Sequence, residues 1–293
     1  MTAIEAVETT AAPAAAEQAG HGILRRYLRQ PAAVAGLALF ALLVLLSLVG
    51  PLVLPSGTHI DPAHRFAAPS GGHWFGTDEL GRDVLARVAA AGRLSLGIAI
   101  GATAVSFVAG AAWGLAAAAT RGWADDVLMR IADAAMAIPI ILFALVFVAA
   151  LGTTVPVLLI VTGLLMAPLT ARVARSAVLA ELESDYVRAL TAVGVPKRRI
   201  MAREVLPNAS PALLAQASLN LATSLMVEAS LSFVGLGVQP PDASWGTLLQ
   251  AGYAKLFQSI WYPLMPALVI LAAIAALNTI GDQLQRVLYR SGS

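Results

Sequence analysis

The side chains able to do chemistry are few in this chain, and their absences narrow the field first. There is no cysteine, which removes disulfides, thiolate metal sites and cysteine nucleophiles. No lysine follows a glycine, so a P-loop cannot form, and no glutamate follows a histidine, so an HExxH zinc site cannot either. Gly-x-Ser-x-Gly is also missing. The four histidines are His21, His59, His64 and His73. The last three gather near Asp61, but nothing in their spacing fixes a ligand geometry. They read as solvated loop side chains, with no metal and no cofactor expected. Glu228 is different, because it stands alone in a long apolar run, and an ionisable residue in such a place is a functional candidate by default. Asn220 and Asn278 join it as candidate pathway or intramembrane polar residues, with helix–helix bonding as the competing role.

A second group is cationic. Lys197, Arg198, Arg199 and Arg203 fall within seven residues of "ALTAVGVPKRRIMAREVLPNAS", which Gly194 and Pro196 interrupt and apolar segments flank. Such a cluster can bind anionic lipid or dock on a partner protein.

The elements that position these residues follow from composition. Of 293 residues, 58% are hydrophobic and only 12% charged, about half the charged share of a soluble domain, and the mean hydropathy is +0.77. The class is an all-α integral membrane protein. A net charge of +2 is too small to suggest nucleic acid, and no nucleic-acid partner is expected.

Crossing the hydrocarbon takes about 20 apolar helical residues. Six windows fit, giving six transmembrane helices: Ala32 to Leu54, Leu94 to Thr120, two from Ala134 to Ala171 split at Gly152 to Pro156, Ala209 to Leu236, and Tyr262 to Gly281. With the amino terminus inside, 14 Lys and Arg, Arg121 among them, fall on the cytoplasmic side against 5 outside. That bias places both termini in the cytoplasm, in a multi-pass plasma (inner) membrane protein.

The expected divisions are a disordered tail over 1–22, an extra first helix in 23–54, an extracytoplasmic loop over 55–93, a five-helix core over 94–281, and a cytoplasmic tail over 282–293. In the loop, "TDELGRDVLARVAAAGR" suggests an amphipathic surface helix capped by Thr77 or Asp78, with Leu80, Val84, Leu85 and Val88 on one face. Asp83 and Arg87 would form an i,i+4 pair on it.

The cationic segment reads as an elbow of two short helices within 181–208. The first ends at Gly194, suited to a left-handed cap. Pro196 starts the second, Pro207 stops it, and Ser210 with Pro211 opens the next span. Ala189, Ala192, Val193, Ile200 and Met201 form its apolar side, and small residues beside Gly194 would let a helix enter a partner's groove.

With these features in place, the sequence resembles a family, the permease subunits of binding-protein-dependent ABC importers. Ala189, Gly194, Leu206 and Pro207 fit the "EAA" loop of that family, with Arg188 in place of its glutamate and Leu190 in place of its second alanine. "HWFGTDELGRDVLAR", "YVRAL…GVPKRRI" and "VEASLSFVGLGVQPPDASWG" are similar to the dipeptide/oligopeptide branch, whereas the ending "GDQLQRVLYR" departs from it.

The resemblance implies the type I ABC importer permease fold, with the elbow as a coupling helix seated in a cleft of an ATPase subunit. It implies two nucleotide-binding subunits, a second related permease, an extracytoplasmic solute-binding protein and a surround of membrane lipid. Tyr186, Ala189, Gly194 and Ile200 would dock, with Arg188, Lys197 and Arg198 as charge contacts. Small peptides are the implied cargo, with nickel or another small solute as the alternative, and no covalent catalysis is expected. An ion-coupled secondary transporter is the rival class; it asks for intramembrane carboxylates and internal repeats, and the chain offers Glu228 and no visible repeat.

Overall fold

The computed structural model describes residues 25–54, 57–120 and 122–291, with backbone alone for 288–291. The expected tail over 1–22, with His21, and the cation Arg121 lie outside the described residues. The principal helices are α1 (Pro31–Val53), α2 (Val84–Thr120), α3 (Trp123–Met136), α4 (Ile140–Leu151), α5 (Val155–Leu182), α6 (Asp185–Ala192), α7 (Lys197–Ile200), α8 (Leu206–Phe233), α9 (Trp245–Tyr253) and α10 (Trp261–Ser291). No strand occurs among the described residues. Every backbone polar group in hydrocarbon must pair within its own segment, which is why an apolar chain takes this all-helical form.

The central pair is α2 and α5, and small residues let them touch. A Cβ added at Gly110 would strike the Ala167 carbonyl and Thr170, and one at Gly114 would strike the Ala171 carbonyl and Ala174. Between helices in lipid, close van der Waals approach of this kind replaces the hydrophobic drive. The helix α8 packs against both, α10 packs on α8, and α1 lies against α2 and α10 at the periphery. Leu42, Leu45, Leu48, Leu52 and Val53 of α1 stay exposed, as side chains facing lipid do.

The six expected crossings are not all met. Four helices, α1, α2, α5 and α10, are long and apolar enough by length and composition, and α3 with α4 makes a fifth if that pair counts as one span. The expected third crossing from Ala134 is broken: α3 and α4 meet at 85°, with Pro139 at the cap of α4. Its ring disfavours helix in the residue before it. At 12 residues, α4 is about 18 Å long, short of a hydrocarbon core about 30 Å thick. The expected fifth crossing is α8, whose 28 residues suffice in length. Its polar residues lower its apolarity, and Gln216, Asn220, Ser224, Glu228 and Ser232 are all turned inward and buried.

Two loop expectations, the start of the amphipathic helix and the Asp83–Arg87 pair, are also corrected. The helix expected to start at Thr77 begins at Val84 and runs unbroken into the span. The Asp83 carboxylate caps it by accepting from the Ala86 amide at 2.9 Å and pairs with His73 at 2.9 Å, so the Asp83–Arg87 pair does not form. Arg87 reaches Asp78 instead, at 2.6 Å. In the stretch Gly237 to Trp261, Ser244 and Thr247 form a reciprocal capping box, and α9 drives Trp245 into the core, its indole donating to the Val88 carbonyl at 2.9 Å. The expected tail from 282 is helical to Ser291, and Val287 packs with Tyr27 and Ala33 at the start of α1.

Candidate functional site

Two ends of the bundle carry polar structure. Residues 57–83, α9 and its flanks form one end; α6, α7 and the turn after them form the other.

At the first end Asp78 is fully buried and saturated. One oxygen accepts from the Leu80 and Arg82 amides at 2.8 and 2.9 Å, and the other from Arg82 Nε at 2.7 Å and Arg87 at 2.6 Å. Arg87 also donates to the Tyr262 hydroxyl at 3.1 Å, tying the loop to α10. Gly81 has φ +75°, and a Cβ there would collide with the Asp61 carbonyl, so only glycine closes this turn. The histidines divide between carboxylates rather than converging: His64 Nδ1 meets Asp61 at 2.7 Å and His73 Nδ1 meets Asp83 at 2.9 Å. The hydrogen bond from His64, with a smaller one from the Ala63 amide, holds the Asp61 carboxyl below the ordinary carboxylate range. No set of three His, Cys, Asp or Glu among the described residues is placed to hold a metal ion.

At the other end the elbow has the expected punctuation. The helix α6 runs Asp185–Ala192, Gly194 follows at φ +83°, and Pro196 caps α7. The exit differs. Met201–Val205 is a π-helical turn, in which the Leu206 amide reaches back to the Met201 carbonyl, and α8 follows without a break. Pro207 therefore does not stop a helix. It sits in the first turn of α8, just past the widened turn, where a missing amide costs little.

The candidate elbow residues separate into two sets. Ala189, Arg188 and Gly194 are exposed, as are Ala192 and Val193, which is 78% accessible. A Cβ on Gly194 would meet nothing within 4 Å. Ile200 is the correction: it is 3% exposed and packs with Ala118, Val178, Val187, Val205 and Ala209. It anchors the elbow to the bundle and presents nothing outward. Tyr186 is bent back too, donating to Glu181 at 2.7 Å and accepting from Asn208 at 3.0 Å. Burial, reinforced by the Glu181 carboxylate, raises the Tyr186 phenol above its ordinary value. Lys197 and Arg198 are exposed, but they line a cavity between elbow and bundle rather than the Gly194 tip.

Within the bundle, Asn220 donates to Ser106 at 3.0 Å and Thr170 at 2.8 Å and accepts from Gln216 at 2.8 Å, linking α2, α5 and α8. Glu228 is 1% exposed and accepts from Ser232 at 2.7 Å, which in turn accepts from Ser244 at 3.1 Å. Its second carboxylate oxygen has no protein partner. Both residues face the interior of this chain, whereas Asn278 is exposed on α10. Sequence reading missed the Gly110–Gly114 contact, for which the G-x-x-x-G spacing within an apolar run was the available signal. It also missed the Asp125–Arg175 fork, two bonds of 2.6 Å joining α3 to α5, which no local spacing announces.

The arrangement is an inward-packed helical bundle with four or five spans long and apolar enough to cross a membrane and a bare elbow at one end. The chain matches the inward-facing MetNI methionine ABC transporter with a TM-score of 0.57 at 18% identity, covering 69% of this chain and 96% of that one, which fixes the importer permease fold. Residues 110–291 match the model of the binding-protein-dependent transport system inner membrane component, and the chain belongs to that family. Residues 20–69 match the N-terminal transmembrane domain of oligopeptide transport permease C. A putative peptide permease protein of Brucella suis biovar 1 (strain 1330) is 38% identical over 263 residues, spanning 89% of this chain and 87% of the relative. The dipeptide transport system permease protein DppC of Alkalihalophilus pseudofirmus is 33% identical over 257 residues, spanning 87% and 84%. The likeness drawn from Ala189, Gly194, Leu206 and Pro207 to ABC importer permeases is borne out.

Proposed function

We propose that this chain is one half of the translocation path of an ATP-driven importer of small peptides, and that its elbow couples the path to a separate ATPase. The carrying observation is the tip of α6. Arg188, Ala189, Ala192, Val193 and Gly194 are bare, while Val187 and Ile200 behind them are buried. A surface both apolar and rigidly backed fits the groove of a partner.

The chain itself catalyses nothing. Two ATPase subunits hydrolyse ATP, a second related permease completes the path, and an extracytoplasmic binding protein delivers the peptide. The elbow end is cytoplasmic, as the 14-to-5 division of Lys and Arg supports. ATP-driven closure of the ATPase pair moves the elbows, and the permease pair shifts between two packings of one bundle. Peptides are favoured as cargo over nickel because the relatives in two genera carry peptide names.

Gly194→Asp tests the reading. A Cβ there meets nothing within 4 Å, and a non-glycine residue at that φ costs about 1–2 kcal/mol, too little to unfold the bundle. Expected is normal insertion, retained ATP hydrolysis, and peptide uptake into proteoliposomes of the whole transporter reduced about 10-fold or more. Full coupled uptake by that variant would refute it. Because the chain has no cysteine, Ala192→Cys also supplies a unique crosslinking point, expected to capture the ATPase subunit.

A further inference from the structure

We infer that the cavity behind the elbow is a binding site for one acidic phospholipid, its acyl chain lying between elbow and bundle and its phosphate on Lys197 and Arg198.

The cavity measures about 520 Å³, within the range of sites that hold small molecules. Its walls are apolar, with Ala118 from the end of α2, Leu182 from the end of α5, Val187 from α6, and Met201 from the π turn. The charges on its lining are Lys197 and Arg198, and no acidic side chain lines it. Neither cation forms an ion pair or a side-chain hydrogen bond among the described residues. The site is thus an apolar slot with two uncompensated positive charges at its rim.

Depth adds a second argument, resting on the cytoplasmic placement of the elbow under the proposed function. The helix α5 has 28 residues and is about 42 Å long, close to the thickness of a bilayer with its headgroups. Its last residue, Leu182, therefore lies in the headgroup layer. An acidic phospholipid there can slide its chain into the slot without leaving the membrane and meets cations at phosphate height, as basic pockets between cytoplasmic helix ends do. A soluble anion would satisfy Lys197 and Arg198 but leave the walls wet. A protein groove-filler would arrive at the Gly194 tip, and neither Ala189 nor Gly194 lines the cavity.

The bound lipid has a mechanical consequence. It joins α6 and α7 to the ends of α2 and α5, filling the gap beside the buried set of Val187, Ile200 and Ala118. Force applied at the tip then reaches the spans through a packed contact.

The test uses the whole transporter purified in mild detergent, with native mass spectrometry counting phosphatidylglycerol retained in the absence of ATP and peptide. Wild type should retain one molecule per copy of this chain, and Lys197→Gln with Arg198→Gln should retain it about 30-fold more weakly, the effect of two interfacial cations. Ala119→Trp keeps both charges but intrudes on the slot, because Ala119 lines it and is exposed. It should also lose the lipid, which mere surface attraction would not. Equal retention by wild type and the double variant overturns the inference. So does retention by Ala119→Trp, or capture of the ATPase rather than lipid from a photocrosslinker at Thr191. Because retention is read without transport, a retained lipid with a fully coupled Gly194→Asp variant would sink the docking reading alone, and absent lipid with an uncoupled Gly194→Asp variant would sink this site alone.

Discussion

Glu228 uses one of its two oxygens. The bond to Ser232 and the onward contact to Ser244 tie the C-terminal half of α8 to the cap of α9, and the second oxygen is buried without a hydrogen-bond partner among the described residues. A proton-relay residue would face an opening, whereas this one is 1% exposed inside the bundle. Glu228→Gln, which keeps shape and one acceptor, should leave peptide uptake within about twofold of wild type. Glu228→Ala leaves the Ser232 hydroxyl without its acceptor and opens a small void, and should lower stability in detergent by about 2–4 kcal/mol, read by thermal unfolding. Abolished uptake in the Gln variant with unchanged folding would restore the ion-coupled reading. Asp61 supports a pH prediction. Its carboxyl is held low by His64 and then by the Ala63 amide, so the turn it stabilises is intact above the ordinary value of about 3.9 and loosens as pH falls through the lowered one. Amide exchange at Ala63, corrected for intrinsic rates, should rise below about pH 4 and not in Asp61→Asn, which is loose throughout. The partial exposure of Asp61 and His64 keeps this effect local.

Among the elements, the α2–α5 contact is the closest packing, and its cause is the absence of side chains. Gly114 lies against the Ala171 carbonyl and Ala174. Gly114→Leu must force the two backbones apart, a cost of about 1–3 kcal/mol or more. It also pulls Ser106 from Thr170, 2.9 Å away across the same interface, and so disturbs the 3.0 Å bond that Ser106 accepts from Asn220 of α8. The expected outcome is a fall in thermal midpoint with the elbow still intact; an unchanged midpoint would show that the pair is not held by close approach. The elements also show what sequence could and could not reveal. Apolar length located α1, α2, α5 and α10, and Gly194 with Pro196 marked the elbow because each has one conformational use. The facing of Ile200 was hidden, since α7 is four residues long and too short to display a period. The π turn was hidden because Pro207 reads as a stop unless the preceding turn widens. The bend at Pro139 was legible in principle but was masked by apolar residues on both sides. The polarity of α8 has a reason that only the fold displays: its polar side chains bond to one another and to α2 and α5, not to lipid.

At the scale of the molecule, the helices α1, α2, α5, α8 and α10, with the bent pair α3–α4, alternate in direction, so every segment end belongs to one of two faces. One face carries the bare elbow tip at Val193; the other carries Phe257, fully exposed between α9 and α10, with Trp74 and Tyr253 exposed as well. Aromatic side chains at that level suit a membrane–water interface. Under the proposed function the Val193 face lies in the cytoplasm, as the division of Lys and Arg favours. A membrane-impermeant maleimide applied to intact cells that express the assembled transporter should therefore label Phe257→Cys and leave Val193→Cys untouched. The native chain has no cysteine, so neither signal has a background. Both positions are exposed, 78% at Val193 and complete at Phe257, so burial in this chain cannot account for a lack of labelling. If the ATPase subunits occupy the elbow, Val193→Cys should stay protected even in opened membranes until those subunits are stripped away, and react once they are gone, while Phe257→Cys is indifferent to their removal. Labelling of Val193→Cys from outside intact cells would invert the topology and, with it, the assignment of the elbow as the place where ATP-driven motion enters the bundle.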